Sequence, residues 1–331
     1  AMIKAGAASY VDRGNITHLH LEARQEWYDA TSRSLDVSAL EATRQTFSTA
    51  LANELLLFSN ALSIIGSIRG ELIEDENFRA TPILPAAGLI WRAAPTLHFK
   101  ANAARTFRAP DFDELYLDTE SVRGNPNLDP ERAWTFDAGL QAGDPELTRK
   151  PWSAGVTVFE NHIEEMILFL PTSAYLFEAM NLSDALSRGL ELTAALRPFR
   201  RLQLHGGYTL TRAHLKSDGA TSSRLPHQPL HRGQLRLSTD LSELAIWRTL
   251  HHVGLHTSAS YRSRIHLDHF QNLRNQPALF LDAGANVAIT PRISLDLNVY
   301  NLLDHRRAED TLQRPLPGRA LFVGLTIRSP Q

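Results

Sequence analysis

Apolar and polar residues alternate with a period of two over most of the chain. From Trp134 to Ala142 the order is Trp, Thr, Phe, Asp, Ala, Gly, Leu, Gln, Ala, apolar on one face and polar or small on the other. Ile293, Leu295, Leu297 and Val299 alternate with Ser294, Asp296 and Asn298. Leu202, Leu204, Tyr208 and Leu210 alternate with Gln203, His205, Thr209 and Thr211. A helix would spread these residues around its circumference, so the pattern predicts strands. About fourteen such runs are expected, near 16–28, 44–57, 61–73, 86–94, 97–107, 133–142, 152–168, 175–196, 202–214, 231–241, 250–263, 278–289, 292–302 and 319–328. The runs at 152–168 and 175–196 are longer than a membrane-crossing strand needs and are expected to contain loop residues or to extend beyond a membrane.

The connections fall into two alternating length classes. Short turns are expected at Ser59-Asn60, Ala94-Pro95-Thr96, Pro198-Phe199-Arg200 and Thr290-Pro291-Arg292. Long polar segments are expected at 29–43, 74–85, 108–132, 169–174, 215–230, 264–277 and 303–318. Hairpins with turns at one end and loops at the other predict an all-β, antiparallel transmembrane β-barrel, turns periplasmic and loops outside. An even strand count would place both termini on the turn side. The polar face carries His20, Glu22, Arg24, Lys100, Asn102, Asp137, Glu191, Arg236, His252, His256, Asp282, Asp296 and Asn298. One-sided strands with no helices to cover them need either lipid or a second sheet; a soluble sandwich, propeller or solenoid is the competing architecture.

Composition narrows the field further. The chain of 331 residues carries 34 basic and 36 acidic side chains, a balance that argues against a nucleic-acid partner. It contains no cysteine, which suits an oxidising compartment. No stretch approaches the roughly 18 consecutive apolar residues of a membrane helix, a fact that leaves a barrel open. Ala1-Met2-Ile3-Lys4-Ala5-Gly6 has no apolar signal core, so the chain reads as a mature protein or a fragment, with residues 1–14 as an N-terminal tail.

Three segments carry a family resemblance. Phe107-Arg108-Ala109-Pro110, followed by Glu114-Leu115-Tyr116, stands before Gly124-Asn125-Pro126-Asn127-Leu128-Asp129-Pro130-Glu131. Further on come Asn181-Leu182-Ser183 and Ser187-Arg188-Gly189-Leu190-Glu191-Leu192. Near the end, Asn301-Leu302-Leu303-Asp304 precedes Pro317-Gly318-Arg319 and a last strand. Together these resemble the barrel of TonB-dependent outer-membrane receptors, with Phe107, Arg108, Ala109, Pro110, Asn125, Pro126, Asn127 and Leu128 as its paired boxes. The resemblance implies a bacterial outer-membrane location and uptake of a small nutrient such as a siderophore or cobalamin-like ligand. It also implies a longer barrel of roughly twenty-two strands, of which this chain would be the C-terminal part. The plug domain and TonB-contact segment of such receptors are not visible, so TonB is expected as a partner only if a plug is supplied elsewhere. The alternative is a shortened plug-less barrel, a passive pore or a structural subunit for another envelope protein.

No enzyme is expected: there is no Gly-x-Ser-x-Gly, phosphate-cradling glycine loop or His-Glu-x-x-His. No cofactor or metal is expected either. The 14 histidines show no repeated ligand spacing, and the segment Asp111 to Gly124 lacks the histidine that haem receptors carry between the boxes. Asp111, Asp113 and Glu114 could bind a hard cation but read more simply as loop solvation and turn chemistry. Arg108 and Glu131 are placed to join the two loop ends as a surface pair worth ~0–1 kcal/mol. The ligand-contact candidates in the outer loops are Arg108, Tyr116, Arg123, His227, His266 and His269. Beyond such a ligand, the partners expected are outer-membrane lipid and another envelope protein.

Overall fold

The computed structural model describes residues 2–12, 14–30, 40–173, 175–182, 184–216, 224–242, 250–267, 271–306 and 315–328, the side chains of 2–12, 30 and 40 excepted. In chain order the first strands are β1 (Met2–Asp12), β2 (Asn15–Ala30), β3 (Leu40–Leu57), β4 (Leu62–Glu74), the short β5 (Arg79–Ala80), β6 (Ile83–Ala94) and β7 (Leu97–Arg108). A one-turn helix, α1 (Phe112–Tyr116), and β8 (Val122–Arg123) lead into β9 (Glu131–Gly143) and β10 (Trp152–Glu164). There follow β11 (Met166–Pro171), β12 (Phe177–Leu182), β13 (Ala185–Phe199), β14 (Leu202–Leu215), β15 (His231–Asp240), β16 (His252–Arg262), β17 (Ile265–His266) and β18 (Arg274–Asn275). The last three are β19 (Ala278–Thr290), β20 (Ile293–Tyr300) and β21 (Ala320–Ile327).

The chain divides into two compact units. The first comprises 1–138, 159–187 and 214–222. In it β1, β2, β3, β4, β6 and β7 pair antiparallel in chain order, each with its predecessor apart from the small β5 flap on β4. The second comprises 139–158, 188–213 and 223–331, where β14, β15, β16, β19, β20 and β21 pair in the same way. The fold is therefore all-β and antiparallel, with fifteen long strands in sequential order among the described residues. Among the described residues no helix is long and apolar enough to cross a membrane.

The alternation fixes which face is which. In β3, Phe47 and Leu51 are 52% and 49% exposed. Leu51 pairs with Leu19 of β2 and Ile68 of β4, themselves 44% and 50% exposed. The opposite face is polar and knitted by side-chain hydrogen bonds, as between Asn102 Nδ2 and Asp137 Oδ2 at 2.9 Å. In the second unit Leu235, Leu255 and Leu279 are exposed likewise, and Arg236 lies on the other face of β15. A contiguous apolar surface of this kind is unfavourable in water, whereas in hydrocarbon it is the expected outer wall of a barrel. Each long strand between β1 and β21 pairs with a neighbour on both sides, as a spanning sheet requires.

One expectation changes and two are made specific. Residues 1–14 hold a strand: β1 pairs with β2 from Met2↔Arg24 to Asp12↔Asn15. Among the described residues the long strands number fifteen, close to the expected fourteen. The two overlong runs each contain a break, in line with the loop residues expected of them. Glu165, with φ 55°, separates β10 from β11, and a break after Leu182 separates β12 from β13. β11, β12 and β8 form a separate three-stranded sheet at the loop end, β12 and β8 pairing in parallel.

Candidate functional site

At the loop end of the first unit the boxed segment folds into a small ordered cap. Glu114 lies three residues past Asp111, and its Oε2 accepts the Asp111 backbone N–H at 2.8 Å, one half of a capping box. That starts α1 and turns Leu115 inward to 2% exposure, where it packs with Leu128, Ile167 and Ala179. Asn125 then reaches back: its N–H donates to the Glu114 carbonyl at 2.7 Å, and its Oδ1 accepts the N–H of Asn127 at 3.0 Å. The Asn-Pro-Asn-Leu box is therefore an Asx turn that delivers Leu128 to the cap core. Asn181, from the second motif segment, closes the other side. It accepts from the N–H of Asp129 at 2.8 Å and donates to the carbonyls of Asp129 and Glu165, both at 2.9 Å.

Arg108 is the hub of this cap. Its Nε and Nη2 fork onto both oxygens of Glu131 at 2.9 and 2.7 Å, and its Nη1 donates to Glu114 Oε2 at 2.8 Å. Glu131 Oε1 also accepts the Ile167 N–H at 2.7 Å. One guanidinium thus joins the end of β7, α1, the start of β9 and β11. The Glu114 and Glu131 side chains are 13% and 18% exposed, so this is not the isolated surface pair expected from sequence but a forked, charge-assisted network.

A second network holds α1 from its other side. Arg44 of β3 forks onto Asp75 with Nε and Nη2 at 3.0 and 2.8 Å, and their side chains are 7% and 0% exposed. The Arg44 guanidinium lies over Phe112 at 4.7 Å and Phe78 at 5.8 Å from the ring centroids. Phe112 in turn stacks on Tyr28 at 5.4 Å. Tyr116 Oη donates to Asp75 Oδ1 and accepts from Asn77 Nδ2, both at 3.4 Å. Burial raises the Tyr116 hydroxyl above the ordinary tyrosine value.

Gly124 is fixed by space rather than by φ. A Cβ there would come within 2.7 Å of the backbone carbon of Leu115 and the nitrogen of Tyr116. Gly124→Ala is expected to cost about 1–3 kcal/mol through forced displacement of α1. Limited proteolysis would show it as faster cleavage between 108 and 131 with the strands left protected.

Of the six ligand-contact candidates, Arg108 and Tyr116 are drawn together by the cap and both serve its internal bonding. Arg123 is exposed, 3.6 Å from Asp118. His227 and His266 belong to the second unit, where the N–H of His227, at φ 62°, donates to the His266 carbonyl at 2.8 Å. His266 Nδ1 is buried with no hydrogen-bond partner among the described residues. His269 lies outside the described residues. Glu114, from the acidic trio, is spent on Arg108 and the helix start; among the described residues no three His, Cys, Asp or Glu side chains converge as metal ligands. In the closing segment Asn301 donates to the carbonyls of His305 and Pro317 at 3.3 and 3.1 Å. Asp304 Oδ1 accepts the Arg319 N–H at 2.9 Å, and that bond, with Arg306, holds its carboxyl below the ordinary aspartate value. Sequence reasoning missed Arg44, Asp75 and Asn77. The only local signal was the Asp-x-Asn turn chemistry at 75–77, since the pair itself spans 31 residues.

The family model described as TonB dependent receptor-like, beta-barrel matches residues 12–302. The iron-regulated outer membrane virulence protein of Vibrio cholerae is 24% identical over 281 residues, covering 78% of this chain and 41% of that protein. The vitamin B12 transporter BtuB of Photobacterium profundum is 27% identical over 213 residues, covering 63% of this chain and 32% of that protein. Among solved structures, a variant of the ferric enterobactin receptor PfeA from Pseudomonas aeruginosa in complex with enterobactin superposes with a TM-score of 0.74 at 16% identity, over 98% of this chain and 53% of that one. This chain spans less than half the length of the two curated relatives and about half of the superposed receptor.

Proposed function

We propose that this chain, which belongs to the TonB-dependent receptor β-barrel family, supplies the wall and outer loops of a receptor that takes up a small nutrient such as a siderophore or a cobalamin-like ligand. The family consists of outer-membrane receptors and transporters, not enzymes. The observation that carries the reading is the ordered cap: a loop of this length is costly to order, yet it has its own apolar core and two arginine networks. Such a cap holds exposed residues at fixed positions, which ligand recognition needs. In this reading Arg123, exposed beside the cap, contacts the ligand, and Arg108 and Tyr116 act as positioning residues. TonB enters as a partner through a plug segment, and the outer-membrane lipid is the solvent of the wall.

The test uses outer membranes from cells that express the full native gene product, incubated with an iron-loaded catecholate siderophore and with cyanocobalamin, each radiolabelled. Saturable retention of one of them above membranes lacking the protein is expected. Retention of neither would contradict uptake of these ligand classes.

A further inference from the structure

The turn end of the second unit carries positive charge that neither the wall nor the cap uses. Two residues join β19 to β20, whereas β9 and β10 are joined by a longer loop, 144–151, with a fixed fold of its own. Asp144 Oδ1 accepts the Glu146 N–H at 3.2 Å. Its Oδ2 accepts the N–H of Arg149 at 2.5 Å and of Lys150 at 3.4 Å, and the Thr148 hydroxyl at 2.9 Å. Leu147, at φ 55°, turns inward to 2% exposure. Asp144 is thereby spent on the loop itself, and Arg149 and Lys150 stand exposed beside one another.

The neighbouring β13 adds two more cations. The Arg197 N–H donates to the Pro151 carbonyl at 2.6 Å and joins the loop to the end of that strand. Arg197 Nε is buried with no hydrogen-bond partner among the described residues, and Arg200 is exposed at the following turn. Arg201 interacts electrostatically with Asp240. Among the described residues Arg149, Lys150, Arg197 and Arg200 have no acidic side-chain partner, and Glu146 is the exposed acid of the loop.

Two observations separate this surface from the lipid. Trp152, 44% exposed at the start of β10, marks the membrane boundary as an interfacial tryptophan does, and Arg149 and Lys150 lie beyond it on the turn side, which is periplasmic. By the two-residue period Arg197 shares a face with Glu191, opposite Leu192 and Leu196, which are 41% and 45% exposed on the apolar wall. Neighbouring strands are about 5 Å apart, so the four cations spread over roughly 10 Å. Carboxylates two residues apart on an extended chain are about 7 Å apart, a spacing that meets such a row one cation after another.

We propose that this surface docks a periplasmic protein through an extended acidic segment, whose carboxylates meet Arg149, Lys150, Arg197 and Arg200. Arg197 supplies the partly desolvated, forked contact, and the three exposed cations steer the approach. The inference rests on the outer-membrane placement of this family and not on any nutrient ligand, so retention of a siderophore or of cobalamin does not bear on it.

The experiment uses the full native protein in mild non-ionic detergent at low ionic strength. A fluorescein-labelled peptide of alternating glutamate and serine is the probe, and fluorescence anisotropy reads its binding. The variants are Arg149→Gln with Lys150→Gln, Arg197→Gln with Arg200→Gln, and Arg79→Gln at the loop end as a control. Each is shown to be folded by heat-modifiable electrophoretic migration. Wild type and the control are expected to bind alike, each double variant about tenfold more weakly, and all of them less as salt is added. The exposed pair Arg149 and Lys150 keeps the proposal testable should the half-buried Arg197 prove necessary for folding. Equal affinity in the double variants would overturn the surface, as would equal binding of a glutamine-serine peptide or no binding to wild type. Loss of co-purifying phosphatidylglycerol from the variants with no change in peptide affinity would assign the surface to lipid and overturn the protein partner.

Discussion

Arg44→Ala is expected to lower the unfolding free energy by about 3–5 kcal/mol, because it leaves the buried Asp75 carboxylate without its counter-charge. The side chain of Asp75 is 0% exposed and takes both forked bonds from Arg44, so nothing else in the site can neutralise it at full strength. Tyr116 and Asn77 supply only longer contacts, at 3.4 and 3.1 Å. The cation also lies over Phe112, so its loss loosens α1 and, with it, the docking of the boxed loop. Arg44→Lys should recover part of the loss, since an ammonium cannot make the fork. Arg44→Met combined with Asp75→Leu should be close to wild type, because removing both charges removes the desolvation cost as well. Denaturant titration of the refolded protein in detergent reads the free energies. Hydrogen exchange at 112–123 reads whether the cap opens first. A single alanine variant within about 1 kcal/mol of wild type would show that the buried pair is not the anchor of the cap.

Leu51→Arg is expected to cost about 2–4 kcal/mol when the protein is folded in phospholipid vesicles, the penalty for a cation near the bilayer midplane on a lipid-facing strand position. Leu51 lies mid-strand in β3 between Leu19 and Ile68, all three exposed on one face. His18→Arg, on the opposite face of β2, should stay within about 0.5 kcal/mol. The difference between the two carries the prediction, because both substitutions place the same side chain on a strand. In a water-facing sheet the two would be alike.

Much of the architecture was legible because strand alternation is a local property. Trp134, Phe136 and Asp137 occupy the faces in β9 that their parity assigns. The short turns fall where expected, as at Phe58, Ser59 and Asn60, all with positive φ. β1 escaped notice because Lys4-Ala5-Gly6-Ala7-Ala8-Ser9 offers little contrast between faces. Its strand is set by hydrogen bonding to β2, which side-chain pattern does not record. The two runs were expected to hold loop residues, but the positions of the breaks, at Glu165 and after Leu182, were hidden for a related reason. The residues of β11 and β12 keep strand character but pair with each other and with β8 rather than with the long ladder.

The site was legible in its boxes and illegible in its mechanics. Phe107-Arg108-Ala109-Pro110 and Asn125-Pro126-Asn127-Leu128 marked the right loop. Their first job here is internal: a turn, a buried leucine and a guanidinium hub. The pairing of Arg108 with Glu131 was readable because both flank the loop. Its third partner Glu114 was not assigned to it, since the same carboxylate also reads as helix-start chemistry. Arg44 and Asp75 are joined only by strand register, and a sequence read locally has no means of seeing that.

The central claim is that the apolar face of this sheet is a wall in contact with lipid. The chain has no cysteine, so single cysteines carrying a spin label can be placed one at a time from Phe47 to Ala52 in β3 without background. Accessibility to oxygen, which partitions into lipid, and to a water-soluble nickel chelate would then be measured in vesicles. Oxygen accessibility is expected to peak at 47, 49 and 51, with the chelate excluded there and admitted at 48, 50 and 52. Access of the chelate to 47, 49 and 51 would contradict a lipid-facing wall.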